Sequence, residues 1–373
     1  MKRIANIVLL FLLFFVLSCN QGGNNPFWAE GETFFDVKKI FFDERFPNVV
    51  VATDGTVIAT WGREDFRIRR SEDGGESWGP EITVAKPGFQ GGGTTVDENS
   101  GDILVFVEEH HPPAPLTVYR SKDNGKTWNS EDVVIKPNSK GHVPSMSMAE
   151  NGITLNYGKH AGRLIRPTRY YAGGNDTAYY DQHYNNAMYS DDGGRTWQAS
   201  EPFPAKGTGE GALAELSDGT IYYNSRRHNS TDGRNPRMRH IAWSYDGGET
   251  WEDLSVSNVL PDGAQYRDYG LMGGLVRLPL EEHDILLFSN IESRKGRENG
   301  TVWASFDGGK TWPVKRLVDT GSFAYSSMAA GREGTPSEGM IYLFYESDEG
   351  AKMARFNLAW LTDGRDWKEY LEK

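Results

Sequence analysis

Catalysis by this chain has to come from arginine, carboxylate, phenol and imidazole groups. Its only cysteine is Cys19, and its eight histidines are dispersed. Neither a His-Glu-x-x-His run nor a cysteine-based ligand set is present, so no metal and no other cofactor is expected. Gly91-Gly92-Gly93 has no phosphate-binding context and reads as a turn. The sequence does offer arginines in distinctive surroundings: Glu44-Arg45-Phe46-Pro47, Asn224-Ser225-Arg226 and, ahead of Thr301-Val302-Trp303, Arg297. Guanidinium forks match carboxylates in charge and geometry. Glu210, set between Gly209 and Gly211, adds a carboxylate, and Tyr325 adds a phenol. The carboxyl groups of Glu64 and Asp65 and the imidazoles of His110 and His111 complete the titratable set, histidine titrating nearest neutrality.

These groups sit in an acidic chain. Asp and Glu outnumber Lys and Arg by 52 to 40, a formal net charge of −12. That balance argues against nucleic acid, whose binding depends on neutralising phosphates with Lys and Arg. It also disfavours a basic membrane-surface patch, and an anionic ligand would need a local cationic pocket. The amino terminus carries a separate signal. Lys2 and Arg3 precede an apolar run from Ile4 to Leu17, shorter than the ~20 residues that span a bilayer. A basic start, a short apolar stretch and a small residue before the cut read as a secretory signal. The ending Val16-Leu17-Ser18-Cys19 resembles that of bacterial lipoproteins. This implies cleavage after residue 18, an acylated Cys19, a polar tether over 19–32 and an exported protein anchored at the outer membrane, on its periplasmic face or at the cell surface. With Cys19 its sole cysteine, the mature domain forms no internal disulfide.

The elements that must position the chemistry are set by a repeat. An octapeptide occurs five times: SEDGGESW from Ser71, SKDNGKTW from Ser121, SDDGGRTW from Ser190, SYDGGETW from Ser244 and SFDGGKTW from Ser305. The starts lie 50, 69, 54 and 61 residues apart, the spacing of one propeller blade per repeat. Each copy has the chemistry of a hairpin turn: an Asp that accepts hydrogen bonds from its own turn, Gly or Asn where φ must be positive, and a Trp with a large face to bury. Strand-like runs such as Val49–Ala52, Ile103–Phe106, Thr220–Tyr223 and Met340–Phe344 alternate with Asp-Gly and similar turns. At roughly 57 residues per unit, 33–373 divides into six units, within the range of propellers. The expected fold is all-β, a single six-bladed β-propeller.

This octapeptide is the Asp box, and five copies on a propeller resemble the sialidase superfamily. The box is structural and occurs also in proteins without glycosidase activity, so it speaks for the fold rather than the chemistry. The resemblance extends over nearly all of the chain beyond the leader. It includes Gly152–Leu155 with Gly158–Pro167 in the third unit and Phe356–Leu361 at the end. The superfamily holds a sugar carboxylate with three arginines drawn from different blades. The resemblance places them at Arg45 (Arg-Phe-Pro for the family's Arg-Ile-Pro), at Arg226, which closes a Glu-containing stretch, and at Arg297, after Ser289-Asn290. Arg227 and Arg294 stand close enough to be alternatives. It also implies Tyr325 as nucleophile and Glu210 as the base that takes the phenol proton, since an unperturbed tyrosine, with a pKa of about 10, attacks poorly at neutral pH. A neutral nucleophile suits an anomeric carbon that bears a carboxylate, which would repel an attacking carboxylate.

The sequence departs from the family at the general acid. The family's aspartate sits on a loop before the first Asp box, and here that loop is short, running from Trp61 straight into Phe66–Arg70. Asp65 is the candidate there, Glu64 the next, and His110 or His111 an alternative donor. The implied function is an exo-α-sialidase that removes terminal sialic acids from glycoconjugates with retention of configuration. A second reading keeps the clamp but places a uronic or other acidic sugar in it. A third is a glycan-binding propeller without turnover. The segment from Tyr170 to Tyr184, rich in Tyr, Gly and Asn, has the character of a glycan-recognition loop.

Overall fold

In a computed structural model, which describes residues 32–145, 149–228, 237–267, 270–280 and 282–371, all five octapeptides form the same hydrogen-bonded turn. The serine hydroxyl donates to the aspartate at 2.7–2.8 Å and accepts the amide of the glycine four residues on at 2.8–2.9 Å. The aspartate then accepts the amide of the seventh residue. The fifth-position glycine has a second reason to be glycine. Its φ is between +81° and +90° in every copy, and its bare Cα faces the preceding blade. A Cβ would lie 2.6 Å from Leu104 at Gly194 and 2.7 Å from Tyr222 at Gly309. Box tryptophans fill the same seam: the Trp197 ring meets Phe106 of blade 2 edge-on at 5.4 Å, and the Trp251 indole donates to Ser200 Oγ of blade 3 at 3.0 Å. The box is therefore a blade-to-blade contact as well as a turn.

Six sheets follow from this, antiparallel except where the Val134–Lys136 edge strand of blade 3 pairs in parallel with Thr196–Ala199. Blade 1 runs Asn48–Val51, Val57–Trp61, Phe66–Ser71 and Ile82–Ala85, with its box between the last two strands. Blade 4 runs Thr208–Glu215, Ile221–Arg227, Met238–Ser244 and Glu252–Pro261; blade 5 runs Leu275–Arg277, Leu286–Ile291, Glu298–Ser305 and Val314–Ser322. Blades 2 and 3 keep this plan with one additional short strand each. Blade 6 takes its inner three strands, Ser326–Ala330, Ile341–Ser347 and Gly350–Phe356, from the end of the chain and its outermost, Phe35–Phe41, from the beginning. The ring is thus closed by pairing early strand to late strand. It also explains why six blades carry five boxes: the sixth has no hairpin between its last two strands.

The axis is closed by a short segment of blade 3. Gly93 donates to the Ala149 carbonyl and Gly152 donates to Thr94, both in blade 2; the Glu150 amide donates to Gly211 in blade 4. The Glu150 carboxyl accepts the Met328 amide of blade 6 at 2.6 Å and the Asn48 amide group of blade 1 at 3.4 Å. It is also hydrogen-bonded by the Leu275 amide of blade 5. Residues 149–152 therefore bind all five other blades.

Burial raises the Glu150 carboxyl to about 8, against the smaller downward pull of the Met328 and Ser327 donors. An acid whose folded pKa exceeds its unfolded value holds its proton in the native state. It contributes fully below the unfolded value and costs stability as pH rises through the window up to about 8. Glu150→Gln, which keeps an acceptor without the titration, should therefore gain on the wild type between pH ~5 and ~8, by a few kcal/mol at about 1.4 kcal/mol per unit. Denaturant unfolding of both chains across that range checks this, and parallel curves would contradict it.

Candidate active site

The starts of the inner strands and the ends of their neighbours open on one face of the propeller, and the polar residues converge there. Glu210 lies where the pairing of blade 4's first two strands slips by one residue, between Gly209 and Gly211. At this bulge it adopts φ +58°, a costly conformation for a non-glycine residue that re-aims its side chain. Its glycine neighbours are forced by crowding: a Cβ at Gly209 would stand 2.8 Å from Arg169 Cζ, and one at Gly211 would enter the Tyr223 ring.

Tyr325 stands just before blade 6's inner strand and donates its hydroxyl to Glu210 Oε1 at 2.7 Å. The same phenolic oxygen accepts from Arg226 Nη1 at 3.0 Å, and that nitrogen also donates to the other Glu210 oxygen. All three side chains are buried. Burial alone would raise the Glu210 carboxyl, but the Arg226 and Arg169 guanidiniums and the hydrogen bond from Tyr325 bring it below its ordinary range.

Two further arginines face the Tyr325 ring from the solvent side, with guanidinium carbons 5.2 Å (Arg45) and 5.5 Å (Arg297) from its centroid. Arg45 sits on a kinked backbone, between Glu44 at φ +54° and Phe46 at φ +82°. It is held by a fork to Glu346, at 3.2 Å from Nε and 3.0 Å from Nη2. The Phe46 amide donates to the same carboxylate, and the Phe46 ring lies 6.0 Å from that of Tyr325. Arg297 is tied by the Phe323 amide, which donates to its carbonyl at 3.0 Å. Arg45, Arg297, Glu298, Glu346 and Asp348 line an open cavity of about 470 Å³. Behind Arg226, a buried Arg239–Asp262 ion pair at 3.0 Å fixes the strand end, Asp262 also accepting the Arg227 amide.

Five of the six residues expected from the sequence, Arg45, Arg226, Arg297, Tyr325 and Glu210, thus meet in one cluster. Arg226 rather than Arg227 reaches the phenol, and Arg297 rather than the exposed Arg294 faces it. Asp65 does not join them. Its carboxylate accepts from Lys86 at 2.7 Å, and no hydrogen bond or ion pair links it to the cluster among the described residues. The turn between Trp61 and Phe66 is too short to carry it inward. Glu64 is exposed and pairs with Arg63. His111, by contrast, lies in the aromatic wall, its ring 5.4 Å from Phe89, which is 5.0 Å from Phe46. Its Nδ1 lies 3.1 Å from the Pro112 carbonyl, which fixes that nitrogen as donor and leaves Nε2 as the other exchangeable site. Burial depresses its pKa.

The sequence reading missed Glu346 as the partner of Arg45, and it missed Arg169, His183 and His228 entirely. Arg169 ends the strand Leu164–Tyr170, and its only signal was proximity to Arg166-Pro167. The Tyr- and Asn-rich segment does supply part of the wall, through Tyr171, Tyr180 and His183. Cys19 and the leader lie outside the described residues. Among those residues no group of His, Cys, Asp and Glu is arranged to hold a metal, and no helix is long and apolar enough to cross a membrane.

Comparison with known proteins agrees with this architecture. A family model for the BNR repeat-like domain matches residues 62–343. A sialidase of Micromonospora viridifaciens is 31% identical over 91% of this chain and 55% of its own length; a sialidase of Bacteroides fragilis is 32% identical over 43% of this chain and 28% of its own. The chain thus spans about half or less of the length of these relatives. Among solved structures, the Hadza microbial sialidase Hz136 superposes with a TM-score of 0.65 over 85% of this chain and 66% of its own, at 24% identity. The intramolecular trans-sialidase of Ruminococcus gnavus superposes with a TM-score of 0.64 over 86% of this chain and 95% of its own, at 17% identity. With five Asp boxes on six blades and a family match over most of its length, this chain is a member of the BNR repeat-like domain family within the sialidase superfamily.

Proposed function

We propose that the chain is a retaining exo-α-sialidase that acts on terminal sialic acids of glycoconjugates. The observation that carries this is the Tyr325 phenol donating to buried Glu210 at 2.7 Å with two more arginines facing its ring. Arg45, Arg226 and Arg297 hold the sugar carboxylate and bring the anomeric carbon to the phenol. Glu210 takes the phenol proton as Tyr325 oxygen bonds to that carbon and the glycosidic bond breaks, the departing oxygen being protonated. Water then attacks the same carbon and gives a proton back to the group that protonated the departing oxygen, the tyrosyl bond breaks, and the phenol recovers its proton from Glu210. Two displacements on one carbon leave its configuration unchanged. Tyrosine in place of a second carboxylate is the recognised sialidase exception among glycosidases.

The prediction is direct. The chain from residue 20 onward should release the aglycone from an α-linked N-acetylneuraminic acid, and Tyr325→Phe should abolish turnover. Glu210→Gln should slow it by roughly 10²–10⁴-fold, the usual worth of a positioned base. Turnover that survives Tyr325→Phe would displace Tyr325 as nucleophile. A silent wild type that hydrolyses α-linked uronosides instead would move the clamp to another acidic sugar, and binding without turnover of either would leave a lectin.

Proton donation to the leaving oxygen falls between Asp65 and His111, and leaving-group dependence separates them. Substitution of the donor should slow release of a sugar alcohol far more than release of an acidic phenol, which departs unaided. Asp65→Asn and His111→Gln are compared on a sialyl-lactose and an aryl sialoside, and the variant that treats the two substrates alike does not remove the donor.

Anchoring through Cys19 is proposed from the sequence. Metabolic labelling with a palmitate analogue in a bacterial host should mark the wild type and not Cys19→Ser, which should move to the soluble fraction; equal labelling would dismiss the anchor.

A further inference from the structure

The site contains a fourth guanidinium with an unusual set of partners. Arg169 is 2% exposed. Its Nη2 lies 3.1 Å from Nδ1 of both His183 and His228, and its Cζ is 3.8 Å from the Tyr171 ring centroid. No carboxylate is at ion-pair distance from it among the described residues. An arginine has only donors to offer, so both Nδ1 atoms must act as acceptors and both imidazoles must be neutral. His183 is fixed in that form from its far side, its Nε2 donating to the Ala172 carbonyl at 2.7 Å. Burial first and the Arg169 charge second bring the His183 pKa down to about 4 and that of His228 well below its usual value.

Arg239, equally buried beside the same strands, shows the contrast. It is neutralised by Asp262 at 3.0 Å. Arg169 has only its Nη2 engaged, by two neutral rings, and its buried Nε meets no hydrogen-bond partner among the described residues, so its charge is left undivided; its guanidinium lies close against Gly209, the residue before Glu210. Burying an unpaired cation is expensive, and a structural role would have been met at lower cost by an apolar side chain.

Resting on the assignment of Glu210 as base, we propose that Arg169 is a positioning residue that acts through Glu210: a guanidinium clamped by two neutral histidines, whose undivided charge keeps that carboxylate ionised and aligned on Tyr325. The groups facing Glu210 come from every packed element. They are Arg226 and His228 on its own blade's second strand and just beyond it, Arg239 with Asp262 behind, Arg169 from blade 3, Tyr325 and Arg45 across the axis, and His111 from blade 2. Arg226 is engaged with both the phenol and the carboxylate, and Arg239 is spent on Asp262. Arg169 is the cation of this set whose field is shared with no carboxylate at contact.

The test is a titration of Glu210 itself, followed through the carboxyl carbon-13 NMR signal that Glu210→Gln removes, in the full propeller and in Arg169→Gln and Arg169→Lys. Without the guanidinium, the Glu210 midpoint should rise by about one pH unit. The acidic limb of kcat/KM should move up with it, roughly a tenfold loss at the acid end that fades toward neutrality, and Lys should restore both. A midpoint unmoved in Arg169→Gln overturns the proposal whatever happens to thermal stability. If that chain does not fold, Gly209→Ala takes its place: the new Cβ, 2.8 Å from Cζ, displaces the guanidinium without removing it. The midpoint should again rise, and an unchanged one overturns the proposal. Because the titration needs no substrate, a shifted midpoint in a chain inert on sialosides would sink the sialidase assignment alone. An unmoved midpoint in an active enzyme would sink the role of Arg169 alone.

Discussion

The side chains of the candidate site are all measured from one short segment on the propeller's axis. Glu150 and its neighbours are hydrogen-bonded to the inner strands or inner turns of all five other blades, and the bonded residues lie next to the site. Gly211, which accepts the Glu150 amide, follows Glu210. Ser327 and Met328 follow Tyr325 by two and three residues, and Asn48 follows Arg45 by three. A propeller blade is held to its neighbours mainly by apolar faces, which fix spacing well and height along the axis poorly. Directional bonds to a single carboxyl remove that freedom. The 2.7 Å bond between Tyr325 and Glu210 joins residues 115 apart on blades 4 and 6, and it can form only if the two strands start at matching heights.

The electrostatics of the site follow a division of labour among arginines. The chain is acidic overall, yet four guanidiniums gather around one phenol and one carboxylate. Arg226 is buried and bonds both partners through Nη1 alone, which ties it to the fixed frame. Arg45 and Arg297 are open to the cavity, and Arg45 is held from behind by Glu346 rather than from the front. A guanidinium so held keeps donors for an incoming carboxylate without a rearrangement. Glu210 is buried, a state that would ordinarily favour its neutral form, but a base is useful only when ionised. Burial and cations act in opposite directions here, and the cations prevail.

The fold was legible because its signal is local. The Asp box is a turn whose hydrogen bonds lie within eight residues, so each copy reports its blade without reference to the rest of the chain, and the count of boxes with the length gives six blades. Arg45, Arg226, Arg297, Glu210 and Tyr325 were legible because each stands at a fixed offset from a strand start or end. Arg169, His183 and His228 were not, because what makes them notable is mutual contact across two blades and the absence of a carboxylate, and no local pattern encodes either. Phe46 stands where the family has an isoleucine; in the structure, at φ +82°, its ring packs tilted against both Tyr325 and Phe89, so it forms part of the wall. Asp65 shows what order along the chain leaves open. Its type and order along the chain fit the family, and the short turn that runs directly into a strand sets its carboxylate beside Lys86, a placement that only the folded loop reveals.

The two halves of the site therefore answer to different constraints. The half around Tyr325 and Glu210 is built from strand ends, bulges and buried pairs, where a displaced atom costs a hydrogen bond in a buried setting. The half that would meet the leaving group is built from loops, namely the turn after Trp61, the His110–Pro113 segment and the Tyr171–His183 excursion. Loops tolerate deletion and insertion far better than strands do. A short turn after Trp61 is thus compatible with an intact Tyr325–Glu210 pair, because nothing in the buried frame leans on it. What such a change moves is the donor and the shape of the surface around the departing group. In this chain that surface is aromatic and imidazole-rich, with Phe89, His111 and Tyr171 in ring contact, so the substrate's second sugar would meet flat faces rather than a carboxylate.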